Sequence, residues 1–265
     1  MPIHPTAVID PKAELDSSVI VEPYAVIDGP VRIGPKTRIC AHAVVSGHTT
    51  LGAGNTIGSF ATIGGPPQDI HYQGEPTELI IGDGNQIREY VSIHRATVKA
   101  SGKTLIGNHN MIMAYCHIAH DCVIADHVIM ANVATLAGHV EIGSHANLGG
   151  LVAVHQFCRI GEYAYIGGMS GIGLDVPPYV IMEGTRNQMR IASINKIGLR
   201  RAGMDRETIK QLEEAFRILF RSPEILLKDA LAKLEEEMRD CGQVQNMVRF
   251  FHSSKRGVVK RTLDD

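Results

Sequence analysis

The sequence contains no tryptophan, and aromatic residues account for only 5% of its 265 residues. It also lacks an apolar run long enough to cross a bilayer, and its start lacks the charged and apolar segments of a signal peptide. The five cysteines are odd in number and have no disulfide-like spacing, which favours a reducing compartment. We therefore expect a cytoplasmic protein with no integral membrane segment.

A strong excess of charge is also absent, since charged residues make up 20% of the chain and the formal net charge is −2. This balance argues against nucleic acid as a partner. The charge is uneven, however, because residues 1–185 hold 9 Lys and Arg against 16 Asp and Glu, whereas residues 186–265 hold 17 against 12. The C-terminal part could attract an acidic partner, although a solvated helical surface of mixed sign explains the same counts.

The chain does contain a six-residue repeat. An aliphatic residue recurs at every sixth position from Ile3 to Ile172, with interruptions near 64–80 and 99–105, the second of which adds seven residues. A helix has a period of about 3.6 and a strand a period of 2, so a period of six indicates a short strand and a turn, repeated. Three hexads close one triangular coil, and stacked coils form a parallel β-helix, which we predict over residues 1–186.

Beyond the repeat, residues 187–265 carry the signals of helices. Asp205 is the predicted N-cap of a first helix, and Ser222, followed by proline, is the predicted N-cap of a second. A third helix is expected over 243–254. The fold class is therefore mainly β, a β-helix followed by a C-terminal α-helical domain that at minimum covers the open end of the solenoid.

The hexad positions separate the polar residues of the stretch AYCHIAHDCVI (114–124). Cys116 and Cys122 fall on the small inward position of successive hexads, so we expect buried thiols there rather than metal ligands. At the fourth hexad position, near the turn, histidine is common. A single histidine at that position is therefore more often structural than functional.

Three histidines stand out as a set. His120, His139 and His155 lie in hexads that begin at 118, 136 and 154, and so in consecutive coils on one side of the β-helix. His94 joins them one coil earlier if the second interruption is a pure loop. A row of imidazoles on an outer face suits recognition of a polar ligand and proton transfer near neutral pH.

Six segments carry a further pattern over nearly the whole chain: IGGPPQDIHYQGEPT (63–77), IREYVSIHRATV (87–98), HIAHDC (117–122), ATLAGHV (134–140), AVHQFCRIG (153–161) and DVPPYVI (175–181). With them the chain resembles the UDP-N-acetylglucosamine O-acyltransferases, a family of hexapeptide-repeat acyltransferases in lipid A biosynthesis. The resemblance implies a left-handed β-helix and a homotrimer with active sites between neighbouring β-helices. It also implies transfer of a 3-hydroxyacyl chain from acyl carrier protein to the 3-hydroxyl of UDP-N-acetylglucosamine.

The same resemblance implies roles for single residues. His120 is the general base, Asp121 its orienting partner, and the backbone N–H of Gly138 the oxyanion donor. The residues expected to line the donor and nucleotide-sugar sites are Gln68, Asp69, His71, His94, His117, His139, His155, Gln156, Asn195 and Arg201. Gly168 lies where a side chain can limit acyl length, so a glycine there suggests a longer chain. The acyl donor is acyl-phosphopantetheine on acyl carrier protein, with no cofactor and no metal.

Some residues depart from the family pattern. His71 stands where members often have Lys, and Ile197 and Ala202 replace an acidic and a basic residue near the nucleotide site. These differences leave open a 3-amino UDP-sugar as the acceptor, which would make the chain an N-acyltransferase. The N-acyltransferases usually carry an extra domain before their hexads, whereas here the hexads begin at Ile3.

Two alternatives come from other functional classes. A metal-dependent hydratase of the γ-carbonic-anhydrase type uses the same fold with three histidines, but its pattern needs a pair about five residues apart. His117 and His120 are three apart. A β-helix that binds a nucleotide sugar or a partner without catalysis is the other alternative.

Overall fold

The computed structural model describes residues 3–185 and 188–259. Its N-terminal part is a prism of three sheets, in which consecutive strands belong to different sheets. Within the prism, neighbouring strands of a sheet are one coil apart and pair in parallel, as Ile9 pairs with Ile27 and Leu15 with Ile33. The predicted mainly-β parallel β-helix is confirmed.

The strands of the described residues are short, and many have only two residues. The first nine are β1 (Val8–Ile9), β2 (Glu14–Leu15), β3 (Ile20–Val21), β4 (Val26–Asp28), β5 (Arg32–Ile33), β6 (Arg38–Ile39), β7 (Val44–Ser46), β8 (Thr49–Leu51) and β9 (Thr56–Ile57). The next nine are β10 (Thr62–Gly65), β11 (Glu78–Ile81), β12 (Gln86–Ile87), β13 (Ser92–His94), β14 (Lys103–Ile106), β15 (Met111–Ile112), β16 (His117–Ile118), β17 (Val123–Ile124) and β18 (Ile129–Met130). The last nine are β19 (Thr135–Leu136), β20 (Glu141–Ile142), β21 (Asn147–Leu148), β22 (Ala153–Val154), β23 (Arg159–Ile160), β24 (Tyr165–Ile166), β25 (Gly171–Ile172), β26 (Val180–Glu183) and β27 (Arg190–Ile194).

The three sheets follow from this order. Sheet 1 takes every third strand from β1 to β25, and sheet 2 takes every third strand from β2 to β23. Sheet 3 takes every third strand from β3 to β24 and ends with β26 and β27. The first residue of each hexad points into the prism, where Ile39, Ile57, Ile87 and Ile112 are fully buried. Burial of each such side chain contributes about 1.5–3 kcal/mol, which explains why the six-residue period is kept so strictly.

The corners of the prism are tight turns. At most corners the fourth hexad residue has a positive φ, as in Tyr24 (φ 60) and His42 (φ 63), and the fifth amide donates back to the second carbonyl, as Ala43 N does to Cys40 O at 3.1 Å. This is the pattern of a type II turn, in which the residue before the positive φ needs no N–H. Pro23 can therefore occupy that place, and its carbonyl accepts from His42 N of the next coil at 3.2 Å.

Both interruptions leave the prism at the same corner. The first lies between β10 and β11, and the second between β13 and β14, so each connects sheet 1 to sheet 2. The partner of Ile63 in the next coil is Ile93, so the first interruption adds twelve residues to the usual eighteen. The partner of Ser92 is His117, which confirms the predicted addition of seven.

The C-terminal part contains four helices in the described residues: α1 (Lys196–Arg201), α2 (Arg206–Phe220), α3 (Leu227–Glu237) and α4 (Gly242–Ser253). Helix α4 lies against the prism, where Asn246 Nδ2 donates to Glu162 Oε1 at 2.9 Å. Strand β27 pairs antiparallel with β26, so sheet 3 extends past the boundary predicted at 186. No helix of the described ranges is long and apolar enough to cross a membrane.

Two of the three predicted helix positions are confirmed, and one helix start is wrong. Asp205 caps α2, because its Oδ1 accepts from Thr208 N at 2.9 Å. The second helix begins at Leu227 rather than after Ser222. Ser222 closes the preceding helix instead, since its Oγ donates to Arg217 O at 3.2 Å and its carbonyl accepts from Ile225 N at 3.1 Å. The Ser-Pro-Glu segment is thus a turn between helices.

Candidate functional site

The predicted row of histidines lies at one corner of the prism. We call this the histidine corner: the sheet 1–sheet 2 connections that follow β13, β16, β19 and β22. The pairing of Ile118 with Leu136, and of Leu136 with Val154, confirms that His120, His139 and His155 occupy consecutive coils. A cavity of about 610 Å³ opens beside this corner. Six of the predicted site residues line the cavity: Gln68, His117, His120, Gly138, His155 and Gln156.

His120 and Asp121 form a hydrogen-bonded pair in the turn after β16. His120 Nδ1 lies 2.7 Å from Asp121 Oδ2, and the Asp121 side chain is only 1% exposed. Asp121 occupies the fourth hexad position with φ 61, a conformation that aspartate tolerates better than most residues. The turn therefore fixes the carboxylate beside Nδ1 of the imidazole.

Asp121 is held by two threonines that the sequence analysis did not identify. Its Oδ2 accepts from Thr97 N at 3.1 Å and from Thr97 Oγ1 at 2.8 Å, while its own N–H donates to Thr104 Oγ1 at 2.8 Å. Burial raises the pKa of Asp121, but the hydrogen bonds from His120 and Thr97 outweigh burial and hold the pKa below its ordinary value. Asp121 is thus an ionised carboxylate at neutral pH.

Gly138 lies against the His120 ring from the next coil. A Cβ at Gly138 would lie 2.5 Å from His120 Cε1 and 2.8 Å from Nε2, so only glycine leaves room for the imidazole in this position. The Gly138 N–H donates to no acceptor among the residues that the structure describes. It is therefore available to a ligand in the cavity.

Other imidazoles surround the pair. His139 meets His120 edge to face, with ring centroids 5.2 Å apart, and it stacks on Phe157 at 4.5 Å, a contact that the sequence analysis missed. His94 and His117 form a second edge-to-face pair at 5.0 Å. Burial and the neighbouring His117 lower the pKa of His94 to about 4, and burial also lowers the pKa of His117 and His139. These three imidazoles are therefore neutral near pH 7.

The first interruption folds over the same corner. Asp69 lies in it, and its Oδ1 accepts from His71 N at 2.8 Å. Arg95 anchors the segment by donating to the Gly64 carbonyl and to the Tyr72 hydroxyl. The side chain of His71 is exposed and does not line the cavity, so its predicted contact with substrate remains a prediction.

The structure separates Asn195 and Arg201 from the histidine corner. They border a second cavity of about 480 Å³ on the sheet 3 side of the prism. Asn195 also caps α1, because its Oδ1 accepts from Gly198 N at 3.1 Å, and its Nδ2 donates to Tyr163 O at 2.9 Å. Ile197 and Ala202, which differ from the family pattern, line this second cavity as well.

Gly168 lies apart from both cavities. It occupies the exposed turn between β24 and β25, where sheet 3 leads back to sheet 1. A Cβ added there would approach the Gly150 carbonyl oxygen at 3.3 Å. Within one chain Gly168 therefore contacts neither predicted site, and its role in limiting acyl length stays a prediction.

The cysteines of the stretch 114–124 pack inward as predicted. Cys116 and Cys122 are fully buried, and their Sγ atoms donate to Ala131 O at 3.1 Å and Ala137 O at 3.2 Å. Burial raises the pKa of Cys116 to about 11 and that of Cys122 to about 12, so neither is a thiolate near neutral pH. Metal ligation by these thiols is therefore disfavoured.

One group of side chains in the described ranges has the composition of a metal site. Ligand atoms of His120, Asp121 and His139 lie within 4.8 Å of one another. Two imidazoles and a carboxylate suit zinc. In this structure, however, Asp121 Oδ2 already lies within hydrogen-bonding distance of His120 and Thr97, which is the arrangement of a base and its orienting carboxylate.

Comparisons with known proteins agree with this geometry. A family model described as UDP N-acetylglucosamine O-acyltransferase, domain 2, matches residues 175–259, and one described as bacterial transferase hexapeptide matches residues 103–138. An acyl-[acyl-carrier-protein]–UDP-N-acetylglucosamine O-acyltransferase of Halorhodospira halophila is 51% identical over 97% of this chain and 99% of its own length. A relative with the same name from Syntrophobacter fumaroxidans is 50% identical over 98% of this chain and 100% of its own. The solved structure of the UDP-N-acetylglucosamine O-acyltransferase of Moraxella catarrhalis has a TM-score of 0.94 at 44% identity, covering 98% of this chain and 100% of that one.

Proposed function

Since the chain belongs to the acyl-[acyl-carrier-protein]–UDP-N-acetylglucosamine O-acyltransferase family, we propose that it transfers a 3-hydroxyacyl group from acyl carrier protein to the 3-hydroxyl of UDP-N-acetylglucosamine, in lipid A biosynthesis. The observation that carries the proposal is the His120–Asp121 pair, set against Gly138 at the wall of the cavity of about 610 Å³. The acyl donor is the thioester of acyl-phosphopantetheine on the carrier protein.

His120 is the general base. A sugar hydroxyl is a weak nucleophile, so its proton must leave as its oxygen attacks the thioester carbonyl. Because an ionised Asp121 only accepts hydrogen bonds, His120 Nδ1 carries the proton between them and Nε2 keeps its lone pair. Nε2 takes the hydroxyl proton, and Asp121 stabilises the imidazolium that forms.

Gly138 stabilises the intermediate. Attack on the carbonyl carbon places a negative charge on the carbonyl oxygen, and the Gly138 N–H donates to that oxyanion. Collapse of the intermediate breaks the C–S bond, and the departing phosphopantetheine thiolate takes the proton from His120 Nε2. His120 returns to its neutral form without a covalent acyl-enzyme, so we propose that the reaction needs no metal or other cofactor.

The test of this function is product analysis. We expect the purified protein, supplied with 3-hydroxyacyl carrier proteins and UDP-N-acetylglucosamine, to form a product that is heavier by one acyl chain in mass spectrometry. Pretreatment with a metal chelator should leave the rate unchanged. If the 3-amino analogue is acylated faster than UDP-N-acetylglucosamine, the proposed O-acylation is wrong and the protein is an N-acyltransferase. No turnover with either acceptor would contradict an acyltransferase, and loss of turnover on chelation would contradict a cofactor-free reaction.

We also propose a homotrimer whose active sites lie between neighbouring prisms. The support comes from the two cavities, because His120 borders one and Asn195 and Arg201 border the other. A single site that uses all three residues therefore needs Asn195 and Arg201 from a second subunit. Three such head-to-tail contacts close into a ring.

Mixed assemblies test the shared site. Arg201→Ala and His120→Ala variants should each be impaired as pure proteins. When the two are co-expressed, random assembly should restore roughly a quarter of wild-type turnover, because some interfaces then combine an intact His120 with an intact Arg201. The matched control is His120→Ala with Asp121→Asn, which should not complement because both residues belong to the same half-site. Equal turnover from both mixtures would contradict active sites shared between subunits.

The metal-dependent hydratase is not favoured. The curated relatives and the solved structure described above are all named as acyltransferases, and they match over nearly the full chain. Asp121 is also engaged by Thr97 in a way that suits an orienting carboxylate rather than a metal ligand.

A further inference from the structure

The second interruption carries a lysine, Lys99, that contacts the first interruption. Lys99 Nζ lies 2.6 Å from Asp69 Oδ2, so an ion pair joins the two interruptions. The Asp69 side chain is 10% exposed and the Lys99 side chain 48% exposed. A nearly buried carboxylate gains more from its cation than an exposed one does, because water screens the pair less.

The ion pair fixes Asp69 on both of its oxygens. Lys99 engages Oδ2, and His71 N donates to Oδ1 at 2.8 Å. Both contacts lower the pKa of Asp69, with the Lys99 hydrogen bond as the larger cause. Asp69 is therefore an ionised side chain held at both carboxylate oxygens, and the preceding residue, Gln68, lines the cavity of His120.

The other anchors of the first interruption lie elsewhere. Arg95 donates to Gly64 O, where the segment leaves the prism, and to the Tyr72 hydroxyl, which in turn donates to Glu75 O at 2.7 Å. Lys99 instead anchors the segment at Asp69, next to the cavity-lining Gln68. Its own N–H also donates to Thr97 Oγ1 at 3.3 Å, within the segment that holds Asp121.

We propose that Lys99 is a positioning residue for acyl transfer, which sets Gln68 at the cavity of His120 by holding the carboxylate of the neighbouring Asp69 in place. The inference rests on the proposed function. In this proposal, residues 97–99 orient two carboxylates: Thr97 holds Asp121, and Lys99 holds Asp69.

A double-mutant cycle tests this role. Lys99→Met should lower kcat/KM for UDP-N-acetylglucosamine about tenfold, between the effects of exposed and buried ion pairs. Lys99→Arg should recover most of the loss. If Lys99 acts through Asp69, then Lys99→Met should cause no further loss in an Asp69→Asn background, because residues that act as a unit are not additive. Thermal unfolding of each variant, followed by circular dichroism, should show a midpoint close to that of the wild type.

A second ion pair supplies the matched control. Lys103 Nζ lies 3.5 Å from Glu78 Oε2 across β11 and β14, next to the same two interruptions but with both side chains about equally exposed, at 44% and 45%. Lys103→Met should leave kcat/KM within about twofold of the wild type. Unchanged kcat/KM in Lys99→Met, or losses that multiply in the double variant, would overturn the proposal. An inactive wild type would overturn the proposed function instead, so the two failures are distinguishable.

Discussion

Replacing His120 with alanine is expected to lower kcat about 10²–10⁴-fold, the usual contribution of a positioned general base. The imidazole is the group whose Nε2 faces Gly138 in the cavity, and Asp121 fixes it from the other side. Single-turnover transfer from a 3-hydroxyacyl carrier protein measures the loss directly. Binding of UDP-N-acetylglucosamine, measured by calorimetry, should change far less than turnover, because a base acts in the transition state.

A control for this variant is a histidine of the same fold that lines neither cavity. His109 occupies a turn at the sheet 2–sheet 3 corner, where it stacks on His127 with ring centroids 5.3 Å apart. His109→Ala should keep nearly full turnover. Turnover in His120→Ala that matches His109→Ala would remove His120 as the base.

Replacing Gly138 with alanine is expected to lower kcat about a hundredfold, similar to loss of one oxyanion-hole or acid–base element. The new methyl group would lie 2.5 Å from His120 Cε1, so the ring must leave the position in which its Nδ1 contacts Asp121 Oδ2. The N–H of residue 138 is retained in alanine, so the loss would come from the displaced base. The turnover rate at saturating acyl carrier protein measures the loss of kcat. The His120 signals in NMR spectra measure the displacement of the imidazole.

Gly150 provides the comparison for this glycine. It occupies the same hexad position in the coil that contains β21, and a Cβ there would approach the Asn132 carbonyl oxygen only to 3.4 Å. Gly150→Ala should therefore retain turnover within about twofold of the wild type. An active Gly138→Ala variant would contradict the close packing of Gly138 on the base.

The periodic part of the site could be predicted because the six-residue period fixes which residues are stacked. The hexads that contain His120, His139 and His155 begin 18 residues apart, at 118, 136 and 154, which places the three histidines on one side, and the observed pairing of Ile118, Leu136 and Val154 has that register. The inward position of Cys116 followed from the same count. A period determines neighbours in this fold because every coil repeats the same turns.

The rest could not be predicted from the period. Thr97 and Lys99 lie in the connection between β13 and β14, which contains the second interruption, and their contacts with Asp121 and Asp69 are known only from the folded chain. The added length of the first interruption was hidden for a different reason. Twelve extra residues equal two hexads, so the phase of the aliphatic residues is unchanged after the insertion. The helix start at Leu227 was missed because the Ser-Pro pair formed a turn instead.

The placement of both interruptions at one corner has an evolutionary consequence. A repeat protein whose coils are built alike can gain new residues at a corner without disturbing the buried columns, since each added segment begins and ends on the same pair of sheets. In such a scaffold, stability and substrate specificity can evolve independently. The coils maintain stability, and the two short insertions modify specificity. Among relatives that act on other acceptors, we expect sequence divergence to concentrate in residues 66–77 and 95–102, while the hexads change little.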